Sequence, residues 1–209
     1  MNTFSNSSAL YTNEYVILLH GLGRTRFSMN NLKKHLTQQG YHVINIGYPS
    51  TKYTIQDIAK KYVKTTLAKK CLDKNKKINF VTHSMGGVIV RYFLANQHIE
   101  NLGRVVMLAP PNHGGEAADT WSAYTITRMI MGPALSEMTT AANSFVNTLP
   151  LPNYEVGIIA GDCDKKVSAE KTKLKTMKDF ILVPSNHTWI IRNKRATTAV
   201  IHFLTQGNF

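Results

Sequence analysis

Ser84 stands in the run Thr82-His83-Ser84-Met85-Gly86-Gly87, between an apolar β-branched stretch and a helix-like one. A serine hydroxyl is a poor nucleophile until a base takes its proton, and that base works best when an acid orients it. The chain has eight histidines. His35 and His98 fall on helix-like stretches, His42 near the start of a strand, and His202 in the last helix. His83 adjoins the serine but points elsewhere in a sharp turn. His113 and His187 remain, each in a loop that follows a strand. Asp162 and Asp164 also follow a strand, with Asp119 a more remote acid. A serine, an acid and a histidine in that order are the parts of acyl transfer through a serine ester. Such chemistry needs donors for the oxyanion that develops. The Met85 N–H, in the first turn after Ser84, points into the same space as the hydroxyl, where the helix dipole also favours negative charge.

Strands and helices alternate along the chain and would bring these parts together. Residues 15–19 (YVILL) form a continuous apolar run, the pattern of a strand covered on both faces. Further strands are expected at 43–46, 78–82, 104–108, 155–160 and 180–183. Helices are expected at 30–39, closed by Gly40, and at 54–71, 85–96 and 193–204. In 54–71 the stripe Ile55, Ile58, Ala59, Tyr62, Val63 and Leu67 faces inward with lysines opposite, and Thr54 with Asp57 resembles a capping box. This alternation predicts an α/β fold: a mostly parallel sheet of about six strands with helices on both faces. Ligands of such sheets bind beyond the carboxyl ends of the strands. His20-Gly21-Leu22-Gly23-Arg24, the Ser84 turn, Pro110-Pro111-Asn112-His113, Gly161-Asp162-Cys163-Asp164 and Pro184-Ser185-Asn186-His187 all lie there.

These motifs resemble those of the α/β-hydrolase superfamily, and more narrowly those of small bacterial lipases and lipase-like serine esterases. HGLGR together with HSMGG carries the resemblance, which extends over most of the chain. Residues 82–87 resemble the nucleophile elbow G-x-S-x-G in its strand–turn–helix context. Thr82 departs from the pattern, standing where the family usually has glycine. The resemblance implies Ser84 as nucleophile and His187, after the last strand, as base. Gly161, Asp164 and Val167 are similar to the family's G-x-x-D-x-x-V, which implies Asp164 as the acid, with Asp162 the alternative. It also implies the Leu22 N–H as a second oxyanion donor beside Met85, with His20 holding the loop. The implied activity is carboxylic ester hydrolysis. Acyl transfer or thioester cleavage on the same machinery, or binding without catalysis on the same scaffold, are the alternatives.

The 209 residues, 43% of them apolar and 18% charged, exclude a disordered chain and suggest a single domain. No cofactor is needed for serine chemistry. No metal-ligand spacing appears, and G-x-G at 21–23 is too short for a dinucleotide fingerprint. The two cysteines suit free thiols in a reducing compartment. The first fifteen residues show no secretory pattern, so a cytoplasmic location is expected. The net charge is +13, with lysines clustered at 60–77 and 165–178. Without aromatic interleaving or a nucleic-acid motif, these read as a solvated basic face; nucleic acid is not an expected partner. The charge suits weak contact with an anionic membrane surface, or an acidic ester.

Residues 114–151 break the alternation and suggest short helices interrupted at Gly132-Pro133. Trp121, Tyr124, Met129 and Met138 either line an acyl-binding groove or pack the segment on the core. At roughly forty residues the insert is a small cap, which leaves an open site for a short- or medium-chain acyl ester or an exposed lipid-like ester.

Overall fold

The structure, a computed structural model, describes residues 13–209. The stretch before them, read above for a leader, lies outside the described residues. The elements follow the alternation of the sequence. β1 (Tyr15–Leu19) leads to α1 (Asn30–Gln38) and β2 (His42–Ile46). α2 (Ile55–Ile58), a π-helical stretch (Ala59–Lys64) and α3 (Thr65–Lys70) run on as one helical rod to β3 (Ile78–His83). α4 (Met85–Asn96) and β4 (Leu102–Leu108) come next. The insert holds α5 (Glu116–Ser122), α6 (Thr125–Met131), α7 (Pro133–Ser136) and α8 (Phe145–Thr148). β5 (Val156–Gly161), α9 (Ala169–Thr172), β6 (Asp179–Val183) and α10 (Lys194–Gln206) complete the chain.

The six strands form one sheet in the order β2-β1-β3-β4-β5-β6, parallel throughout. β1, β3 and β5 are buried at every residue, whereas the edge strands β2 and β6 expose part of their length. A strand covered on both faces needs apolar side chains at every position, which is why the central strands read as unbroken apolar runs. Successive residues of β1 serve opposite faces. Val16 and Leu18 pack with Leu32 and Leu36 of α1 and with Val200 and Phe203 of α10. Ile17 and Leu19 pack with Ile58 of α2, Val63 of the π-helical stretch, and Ile89 and Phe93 of α4. Helices therefore cover both faces. The strand order reverses between β1 and β3, and a crevice opens at that switch point.

Two elements differ from their expected form. The rod expected at 54–71 is not one α-helix. Its central π-helical turn keeps Ala59 and Val63 in the core, while Tyr62 meets the Tyr48 and Tyr53 rings. Thr54 Oγ1 accepts the Asp57 N–H at 3.1 Å, as in a capping box. The Asp57 carboxylate, however, takes the Thr54 hydroxyl, and the Ile55 N–H donates to Glu137 of the insert at 2.8 Å. β4 starts at Leu102, two residues before its expected start, and its register against β3 shifts between Ile78 and Phe80. There Asn79 Oδ1 accepts the Arg104 N–H at 2.7 Å. A Cβ on Gly103 would lie 2.2 Å from that oxygen, so a side chain there would displace the Asn79 amide from this bond.

Candidate active site

Ser84 is the single residue between β3 and α4. Its φ of 53° and ψ of −124° lie where non-glycine residues are rare and cost about 1–3 kcal/mol. The surroundings hold the turn in place. The Ser84 N–H donates to the Leu108 carbonyl and the Gly87 N–H to the Ser84 carbonyl, each at 2.9 Å. A Cβ on Gly86 would come 2.6 Å from the Leu19 carbonyl oxygen, and one on Gly21 would come 3.1 Å from the Ser84 Cβ. The absence of side chains at these glycines lets α4 and the loop after β1 close on the serine. Thr82 leaves the turn intact. It is fully buried, and a Cβ on Gly87 would sit in ordinary contact with its Oγ1, at 3.4 Å, and closer to Pro110, at 3.0 Å.

Three loops converge on this turn. His187 Nε2 lies 2.9 Å from Ser84 Oγ, and His187 Nδ1 lies 2.7 Å from Asp164 Oδ2. With the ring proton on Nδ1, the serine hydroxyl donates to Nε2 and the imidazole donates to the carboxylate. Asp164 Oδ1 accepts the N–H groups of Lys166 at 2.8 Å and Val167 at 3.0 Å. Burial works to raise the Asp164 pKa. The hydrogen bond and charge of His187, with the two N–H donors, outweigh it and hold the carboxyl below its ordinary value. The Asp164 side chain is 1% exposed, so water does not compete for this bond.

The other candidates lie elsewhere. Asp162 accepts the Ser185 N–H at 3.1 Å in the turn between β5 and β6 ends. Asp119 holds Thr140 inside the insert. His113 is exposed. Met85 opens α4, whose first-turn N–H groups have no partner within the helix. Leu22 lines the same cavity as Ser84 and His187.

Sequence reasoning set His83 aside, yet its ring is part of the site. His83 Nε2 donates to the His187 carbonyl oxygen at 2.8 Å, fixing the backbone that carries the imidazole. Burial, then the neighbouring His187 ring, push its pKa down to about 3, so it stays neutral. Tyr48 and Ser50 were also missed. The Tyr48 hydroxyl donates to the His20 carbonyl and its ring stacks on the His20 ring, 4.0 Å between centroids. Ser50 Oγ accepts the Gly23 N–H at 3.0 Å, and His20 Nδ1 donates to the Gly21 carbonyl at 3.0 Å. Their place just beyond β2, at the same sheet edge, was the available signal.

A cavity of about 70 Å³ opens beside Ser84. Its apolar wall includes Trp121, Leu135 and Met138 from the insert and Val167 from the Asp164 loop. Trp121 and Met138 thus line the cavity, and both also pack on the core. Tyr124, which caps α6, and Met129 within it lie away from the cavity, 65% and 78% exposed. A two-turn helix lying on the surface turns one stripe inward. In α6 that stripe ends in Met131, whose Cε would lie 3.4 Å from a Cβ on Gly23.

No curated protein matches this chain by sequence. Residues 12–112 match the family model described as "Putative serine esterase (DUF676)". Among solved structures, a thermophilic esterase from Thermogutta terrifontis is similar at 16% identity and a TM-score of 0.67, over 93% of this chain and 90% of that one. Bacillus licheniformis lipase BlEst2 in its mature form is similar at 16% identity and a TM-score of 0.68, over 93% and 91%. Phospholipase PlaB from Legionella pneumophila is similar at 20% identity and a TM-score of 0.65, over 90% of this chain but 57% of its own. At these identities the likeness is one of fold. The chain therefore has the α/β-hydrolase fold, and over residues 12–112 it matches the family model described as "Putative serine esterase (DUF676)".

Proposed function

We propose that the protein hydrolyses carboxylic esters through Ser84, His187 and Asp164. The observation that carries this reading is the unbroken hydrogen-bonded row from a strained serine to a buried carboxylate. In this reading Ser84 Oγ attacks the ester carbonyl as its proton passes to His187 Nε2. The charged imidazole is stabilised by Asp164. The N–H groups of Leu22 and Met85 receive the oxyanion. His187 then returns the proton to the departing alcohol oxygen, leaving an acyl-Ser84 ester. A water attacks that ester, giving its proton to His187, and the acid leaves with Ser84 restored. No step calls for a cofactor. His83, Tyr48 and Ser50 support the arrangement by fixing the backbone of the participating loops.

The cavity of about 70 Å³ is under half of the roughly 150 Å³ that holds a benzene ring. The acyl group is accordingly short. The test is hydrolysis of p-nitrophenyl esters from acetyl to palmitoyl by the wild type and Ser84→Ala. The reading expects a maximum at the short end and a loss of at least about a thousandfold in Ser84→Ala. Retained activity in Ser84→Ala, or an inert wild type, overturns it.

A further inference from the structure

The cavity beside Ser84 is apolar on the side of the insert but carries two cations, Arg24 from the loop after β1 and Lys166 from the loop after β5. Among the described residues that line it there is no carboxylate. Neither cation makes an ion pair with any described residue. Arg24 donates from Nη2 to Thr188 Oγ1 at 3.3 Å, a neutral partner on the His187 loop. Lys166 Nζ lies 5.2 Å from the centre of the Trp121 ring. The acids beside the cavity are already committed: Asp164 accepts His187 on one oxygen and two N–H groups on the other, and Glu116 accepts the Ser168 N–H and hydroxyl.

Both cations stand on anchored backbone. The Arg24 N–H donates to the Gly21 carbonyl at 3.3 Å. The Lys166 N–H is held by Asp164, and its carbonyl accepts the Ala117 N–H at 3.2 Å. Charged groups fixed at a small cavity without counter-charge raise the local concentration of anions and orient them. Resting on the hydrolase reading above, we propose that this site selects short esters that bear a negative charge, a carboxylate or phosphate, close to the scissile carbonyl. Arg24 and Lys166 are its specificity-determining contacts. The same anion chemistry occurs in soluble acidic esters and in anionic lipid headgroups; the small cavity favours the soluble ester.

The test compares acetoxyacetate with acetoxyacetamide, which share the acetyl group, carry no ring and differ in one negative charge beside the scissile ester. Acetate release gives kcat/KM for each with the wild type, the double variant Arg24→Gln, Lys166→Gln, and the exposed α1 variant Lys34→Gln. The anion-to-neutral ratio is expected to fall about tenfold in the double variant, stay at its wild-type value in Lys34→Gln, and shrink in the wild type as salt screens the charges. An equal ratio in the wild type and double variant overturns the charge selection while leaving the hydrolase reading standing. If the wild type cleaves neither ester, the charge selection falls; the hydrolase reading falls with it only if p-nitrophenyl butyrate is also left intact. A third arm presents p-nitrophenyl butyrate with phosphatidylglycerol or phosphatidylcholine vesicles. A rate gain confined to the anionic vesicles, with no preference for the soluble acid, assigns the cations to a lipid surface and overturns the proposal.

Discussion

The loops beyond β1, β3, β5 and β6 and the insert between β4 and β5 meet at one cavity, yet they are held by different means. The loops are fixed by buried polar bonds: Tyr48 and Ser50 on the first, His83 on the last, and paired N–H groups on Asp164. The insert packs Ala118, Ala134, Leu135, Met138 and Val146 on the core and is tied to it at scattered points. Glu137 takes the Ile55 N–H, Arg91 reaches the Leu149 carbonyl, and Gly132 turns at a φ of 78° against Thr51. α4 buries eight of its twelve residues, while α6 buries none of its seven. The difference lies in how firmly the backbone is held. The polar contacts around Ser84 sit where the backbone is over-determined; beside them Leu135 and Met138 of the insert are packed into the core, and α6 is the part of the insert bound less tightly to it.

That division is open to attack from both sides. The largest effect is expected at the acid. Asp164→Asn removes the acceptor that orients His187 and lowers kcat by about ten-thousandfold, while Asp162→Asn stays within about threefold. Steady-state kinetics on a p-nitrophenyl ester measures both, and comparable losses would erase the distinction between the two acids.

Next in size is a pH effect on stability. The His83 pKa is depressed to about 3 in the fold, against an ordinary 6.5 in the unfolded chain. Between these values the unfolded chain binds the extra proton, so stability falls as pH drops through that window. Asp164, held below its ordinary value, adds a loss in the same direction at the acidic end. Urea unfolding at pH 7 and pH 4.5 should show His83→Asn losing about 2 kcal/mol less than the wild type. An equal loss in both proteins would remove His83 from the account of acid sensitivity.

The smallest effects are expected in the insert. Trp121→Ala should raise KM about tenfold with kcat within about threefold, because it removes a cavity wall and no reacting group. Tyr124→Ser and Met129→Ser should leave kcat/KM within about twofold, since both side chains face solvent. A large KM effect from either would bring the outer side of α6 back into the binding surface.

The same contrast explains what could be read from the sequence. The central strands were legible because burial on both faces leaves unbroken apolar runs such as Tyr15–Leu19. The approach of Ser84, His187 and Asp164 followed from their positions after strands and from the resemblance of the motifs. Less legible were features that depend on one side chain meeting another far away. The bulge at Gly103 needs Asn79, and the cap of α2 needs Glu137. His83 was passed over because adjacency to Ser84 indicates the turn but not the His187 carbonyl 104 residues on. In α6, apolar residues occupy both the inner and outer sides, so periodicity could not say which side faced the cavity.

The central claim is that Ser84 is the nucleophile. Intact-protein mass spectrometry after treatment with a fluorophosphonate, followed by peptide mapping, tests it directly. The account predicts one adduct, on Ser84, in the wild type, none in Ser84→Ala, and loss of esterase activity in step with labelling. An adduct on another residue, or an active enzyme that remains unlabelled, would contradict it.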